Sequence, residues 1–71
     1  MKNIIVGVLC IGVVDVIERE HALVEITQQD EVSTEAIFPL GMFPCEVQEG
    51  SMFYFEYVDG VTEIRCGEPP Q

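Results

Sequence analysis

The feature that most constrains this chain is the pair Asp59-Gly60, which separates two runs of aromatic and β-branched residues. The first run is Met52 to Val58 and the second is Val61 to Cys66. A two-residue hairpin turn of type I′ needs positive φ at both central residues, and Asp-Gly is a favoured pair for this turn. We therefore predict a C-terminal β-hairpin that turns at Asp59-Gly60.

The length of this turn also determines which residues face each other across the hairpin. One predicted face is apolar and should be buried: Phe53, Phe55, Ile64 and Cys66, with Tyr57 and Thr62 at its end. The other face carries Tyr54, Glu56, Val58, Val61, Glu63 and Arg65. On that face Glu56 lies opposite Glu63, which costs stability unless something compensates, and the two carboxylates could share a divalent cation.

A chain of 71 residues forms one domain, 1–71, that buries only about 60% of the surface exposed when it is unfolded. Domains of this size usually need a disulfide, a metal or self-association. The three cysteines Cys10, Cys45 and Cys66 are odd in number and lack a C-x-x-C spacing, which predicts reduced, buried thiols in a cytoplasmic protein. His21 has no partner at metal-ligand spacing, so we predict neither a metal nor a cofactor. Self-association is left as the predicted stabiliser.

The charge limits the classes of partner. Thirteen acidic residues against three basic ones give a net charge of −10, which predicts no direct binding to nucleic acid. The acidic surface could serve solubility alone or fit a basic partner. A hydrophobic content of 48% is too high for a disordered acidic tail.

The N-terminal stretch from Ile4 to Val14 is almost continuously apolar. It is too short for a membrane span and lacks the small residues of a signal-peptide cleavage site, so we predict no membrane partner. We interpret it as one long strand, or as two strands that meet at a kink, with Gly7 and Gly12 marking bulges or bends. Its composition indicates that much of it is covered on both faces.

Two further strands follow a turn at Glu18-Arg19-Glu20. Alternation predicts one strand from His21 to Thr27 and another from Glu31 to Phe38. The inward residues would be Ala22, Val24 and Ile26 on the first strand, and Val32, Thr34, Ala36 and Phe38 on the second. A helix that starts at Ser33 is the rival interpretation, but Pro39 leaves room for barely one turn.

The segment from Pro39 to Cys45 is predicted to be irregular because it contains two prolines and a glycine. Its apolar residues Leu40, Met42 and Phe43 should pack over one end of the fold. Residues 67–71 form an extended tail. Together these elements predict an all-β fold, a small five-stranded antiparallel barrel of SH3-like or OB-like type.

Four short motifs resemble an uncharacterised family of small bacterial proteins, a domain of unknown function. They are Val14-Asp15-Val16-Ile17-Glu18, Ala22-Leu23-Val24-Glu25, Pro39-Leu40 with Pro44, and Glu49-Gly50. The resemblance covers roughly residues 13 to 55. It implies a small meandering β-barrel and, because the family has no established activity, no catalytic residues.

Two kinds of feature would indicate a function: polar groups that converge on one site, and apolar residues on faces that should be exposed to water. No convergent catalytic set is evident, which predicts a protein that is not an enzyme. By alternation, several apolar residues point outward, and patches of this kind mark interfaces. The interface candidates are Leu23, Ile37, Tyr54, Val58 and Val61, together with Arg65. We therefore predict an interaction module that self-associates or binds another protein; the alternative is an acidic decoy that imitates nucleic acid, which requires carboxylates along one exposed stripe.

Overall fold

Five stretches rich in β-branched and aromatic residues form strands in the computed structural model, which describes residues 6–28 and 32–69. They are β1 (Val6–Glu18), β2 (His21–Gln28), β3 (Ser33–Pro39), β4 (Met52–Val58) and β5 (Val61–Cys66). Neighbouring strands are antiparallel and form one sheet in the order β3-β2-β1-β4-β5. The predicted all-β class is confirmed.

Parts of the predicted elements lie outside the described residues. These parts are the beginning of the N-terminal strand, residues 29–31 of the second connection and third strand, and the last two residues of the tail. A single 3₁₀ turn, Leu40–Met42, follows β3. The described residues contain no helix that is long and apolar enough to cross a membrane.

The C-terminal hairpin has the predicted turn and register. Asp59 has φ of 48° and Gly60 has φ of 85°, so both central residues adopt the positive φ that a type I′ turn requires. The six predicted cross-strand pairs are present, from Val58 opposite Val61 at the turn to Phe53 opposite Cys66 at the far end. The predicted hairpin is therefore confirmed in both its turn and its register.

Strand β1 is the centre of the sheet and carries two bulges. The register against β4 shifts at Leu9, and the register against β2 shifts at Asp15. Gly7 and Gly12 were predicted to mark bulges or bends, and neither of them lies at a bulge. Gly12 is regularly paired with Ile26 on one side and with Phe53 on the other. A bulge adds one unpaired residue to a strand, and it need not be a glycine.

One face of the sheet, here called the inner face, carries the core. Its buried residues come from three strands and the irregular segment: Val14, Ala22, Val24, Phe43 and Phe53. The segment covers this face with Phe43 and the partly buried Leu40, as predicted. Met42 is 41% exposed, so the prediction that it packs was wrong. In a 3₁₀ turn residues three apart lie on the same side, which aligns Leu40 with Phe43 and leaves Met42 outside.

The sheet is curled but not closed. Strands lie about 4.8 Å apart, so three steps in a flat sheet would separate β3 from β4 by roughly 14 Å. Yet the Phe38 ring of β3 lies 6.1 Å from both the Phe53 and Phe55 rings of β4. Within the described residues β3 and β5 remain the two edges of the sheet, so the predicted closed barrel, SH3-like or OB-like, is not confirmed. The four phenylalanine rings fill the concave side instead.

A disulfide joins the irregular segment to the edge of the sheet. Cys45 is bonded to Cys66 at the end of β5, with their Cα atoms 6.5 Å apart. The prediction that all three cysteines are reduced was therefore wrong, and only Cys10 is a free thiol. Spacing along the chain could not reveal this pair because 21 residues separate its members. Folding brings them together: Leu40 of the segment donates to the Glu20 carbonyl at 2.8 Å, and Gly50, in the turn that follows the segment, donates to the Val14 carbonyl of β1 at 2.8 Å.

Candidate interaction surface

The outer face of the sheet is the face opposite the phenylalanine core, and it carries the predicted interface residues. The structure places them in three neighbouring pairs. Leu23 lies opposite Ile37, Tyr54 lies opposite Arg65, and Val58 lies opposite Val61. The candidates therefore share one face but do not form one compact cluster.

The most exposed apolar part of this face is a row across three adjacent strands, which we call the outer apolar row: Val16, Leu23 and Ile37. Val16 pairs with Leu23, and Leu23 pairs with Ile37. Ile37 is 68% exposed and Val16 is 44% exposed, whereas Leu23 is half-buried between them. The row forms the floor of a shallow depression whose rim carries Glu18, Arg19 and His21.

Sequence reasoning missed Val16 as a member of the row. Val14 faces the core, so simple alternation would turn Val16 inward as well. The bulge at Asp15 shifts the register by one residue and turns Val16 outward beside Leu23, while Ile17 packs against the core. A lone aspartate inside an apolar run was the available signal for this bulge.

Two pairs of facing glutamates lie on the outer face, and they differ in their surroundings. Glu56 lies opposite Glu63, and Arg65 bridges both: its Nε lies 3.3 Å from Glu56 Oε1, and its guanidinium lies 2.6 Å from Glu63 Oε1. The guanidinium of Arg65 therefore lies where a divalent cation shared by the two carboxylates was hypothesised. Glu25 lies opposite Glu35, both exposed, and neither forms an ion pair with any residue that the structure describes.

Replacing Arg65 with glutamine should lower the free energy of unfolding by about 0.5 kcal/mol, because facing glutamates then repel each other without a cation. The change is small because 46% of the Arg65 side chain is exposed and water screens its charge. Urea denaturation in 50 mM and 1 M NaCl measures the effect. We expect the loss to shrink at high salt and to disappear when Glu63→Gln is added. An equal loss at both salt concentrations would contradict the electrostatic explanation.

The chemically reactive side chains are dispersed. His21 is exposed on the outer face, whereas Cys10 pairs with Phe55 and so belongs to the inner face. Burial raises the pKa of the Cys10 thiol, which makes it a poorer nucleophile at neutral pH. Among the described residues, no group of three or more His, Cys, Asp or Glu side chains is arranged to hold a metal ion. The apolar outer face is therefore the feature of this fold that most indicates a function.

Comparisons with known proteins give no information about the function of the outer face. The resemblance of residues 13 to 55 to an uncharacterised bacterial family stays a prediction. No family model, curated protein or solved structure matches the chain.

Proposed function

We propose that this chain is a non-enzymatic protein-interaction module that docks onto a protein surface through its outer face. The observation that carries the proposal is the contrast between the two faces of β1. Its sequence is apolar on both faces, which is typical of a strand that is covered on both sides. Within residues 6–28 and 32–69 only the inner face has a cover, and the outer apolar row stays exposed.

The partner on this face is a second copy of the chain or another protein. Self-association was predicted partly because a small domain needs a stabiliser. The Cys45–Cys66 disulfide supplies one, since a crosslink of this kind typically contributes about 2–4 kcal/mol. The case for any partner therefore depends on the exposed apolar surface and not on a shortage of stability.

The alternative of an acidic decoy gains no specific support. A decoy needs carboxylates in a continuous stripe that imitates a phosphate backbone. Four of the outer-face glutamates occur as two separate cross-strand pairs, Glu18 lies apart from both opposite His21, and Arg65 neutralises part of one pair. Between the pairs lie Ile11 and Tyr54, which are apolar or aromatic and face each other.

The disulfide also bears on where the module works. The cytoplasmic location was predicted from cysteines without a partner, and that reason no longer holds for Cys45 and Cys66. Structural disulfides persist mainly in oxidising compartments and are uncommon in the cytosol of mesophiles. We propose a location in which this bond stays oxidised.

Photo-crosslinking tests the docking proposal without assuming a partner. Benzoylphenylalanine at position 37, on the outer face, should give a discrete adduct in the cells that produce the protein. The same group at position 42 is the control because Met42 is also exposed but belongs to the segment that covers the inner face. An adduct of twice the chain mass indicates a second copy, and any other discrete mass indicates a different protein. No adduct at 37, or equal labelling at both positions, would overturn the proposal.

A further inference from the structure

We infer that the partner of the outer face is a cationic surface of another protein, in which Lys or Arg side chains lie beside apolar ones. The inference rests on the proposed function and names the chemistry of its partner. It is carried by the charges that border the outer apolar row and by the Glu25–Glu35 pair, to which no described residue supplies a cation.

The outer face is apolar in the centre, and carboxylates outnumber the two described cations around it, Arg19 at the rim of the row and Arg65 on β5. Its carboxylates are Glu18, Glu25, Glu35, Glu56 and Glu63, of which the last two contact Arg65. Two copies packed face to face would bring these groups together on chains that each carry a charge of −10. Charges interact over about 8 Å at physiological ionic strength, so an interface of this kind feels the repulsion. A second copy is therefore a poor partner at that salt concentration, and a cationic surface is a good one.

The Glu25–Glu35 pair is the position at which a cationic side chain of the partner would bind. Like charges directly opposite each other destabilise a sheet. At the equivalent pair, Glu56 and Glu63, the chain supplies its own cation in Arg65. At Glu25 and Glu35 no described residue does so. Proteins tend to break such local rules at functional sites, and here a partner's ammonium or guanidinium group would complete the pair.

The unpaired glutamates adjoin the outer apolar row. Glu25 is two residues from Leu23 on β2, and Glu35 is two residues from Ile37 on β3. Side chains two residues apart on a strand point to the same face and lie about 7 Å from each other. A cationic side chain that reaches the glutamates therefore places its apolar neighbours over Leu23 and Ile37.

Binding of two synthetic peptides to the full chain tests the inference. The first is an 18-residue peptide that forms a helix with leucine on one side and lysine on the other. The second has the same composition, scrambled so that no leucine face forms. The intact chain should bind the first peptide at least about tenfold more tightly than the second, because only the first can bury leucines on the row. Raising NaCl from 50 to 500 mM should weaken this binding, because salt screens the charge contacts.

Three double variants locate the contact. Leu23→Ser with Ile37→Ser keeps the net charge and should remove the preference for the first peptide. Glu25→Gln with Glu35→Gln should weaken its binding about fivefold. The matched control is Glu46→Gln with Glu68→Gln, which removes the same charge from two exposed positions outside the outer face and should change binding less than twofold. Circular dichroism verifies that each variant is folded.

Different results separate this inference from the proposed function. If the serine variant retains the preference, or if both glutamine variants behave alike, the inference is wrong because the contact is only diffuse attraction. Sedimentation of the chain without peptide tests the rival partner, which is a second copy of the chain. A dimer that tightens at high salt and is lost in the serine variant would overturn the inference and uphold the docking proposal. A strict monomer that shows no peptide preference would overturn both.

Discussion

Replacing Cys45 and Cys66 together with serine is expected to lower the free energy of unfolding by about 3 kcal/mol, since the bond closes a loop across 21 residues. For a domain of this size such a loss lowers the melting temperature by on the order of 15 °C. The physical reason is that the disulfide restricts the unfolded chain and holds the irregular segment, with Phe43, over the core. Thermal denaturation followed by circular dichroism measures the shift.

The free cysteine supplies the control. Cys10→Ser leaves the disulfide intact and should retain the sensitivity to reductant, whereas the double serine variant should not respond to reductant. Thiol titration in denaturant without reductant should find one thiol per chain, that of Cys10. Three titratable thiols would show that the bond is not formed, and the prediction would then fail. In the native state Cys10 should react slowly because burial raises its pKa.

Replacing Gly12 with alanine should also lower the free energy of unfolding by about 3 kcal/mol, because the added methyl group overpacks the core. A Cβ at this position would lie 2.5 and 2.6 Å from Cε2 and Cε1 of Phe53 and closer still to Cζ. The ring cannot move aside easily because Phe53 is fully buried and the Phe43 ring packs against it at 5.1 Å. Chemical denaturation of the variant and of the unchanged chain gives the difference.

The same substitution elsewhere on β1 is the matched control for Gly12. Among the described residues other than its chain neighbours, no atom lies within 4 Å of a Cβ added at Gly7, so Gly7→Ala should leave stability unchanged or raise it slightly. Phe53→Leu should reduce the additional cost of Gly12→Ala, and a double-mutant cycle measures this coupling. Additive effects of the two changes would show that contact with the ring is not the cause.

Some residues of the interaction surface could be predicted from the local sequence pattern, and others depend on tertiary contacts. Leu23 and Ile37 were predicted to face outward because alternation along a strand requires no knowledge of its neighbours. Val16 was not, because its orientation depends on the bulge at Asp15 against β2. The lack of a cation at Glu25 and Glu35 was also beyond prediction, since it depends on which strands become neighbours.

The sequence by itself determined the elements that short-range rules control. The Asp59-Gly60 turn fixed the register of β4 and β5, and alternation assigned the faces of β2 and β3. Only the tertiary structure decided that β1 is the central strand, that the sheet curls without closing, and that Cys45 meets Cys66. A turn or an alternating pattern is specified within a few residues. Strand order, curvature and a crosslink depend instead on packing between distant segments, here four phenylalanine rings that contact one another on the inner face.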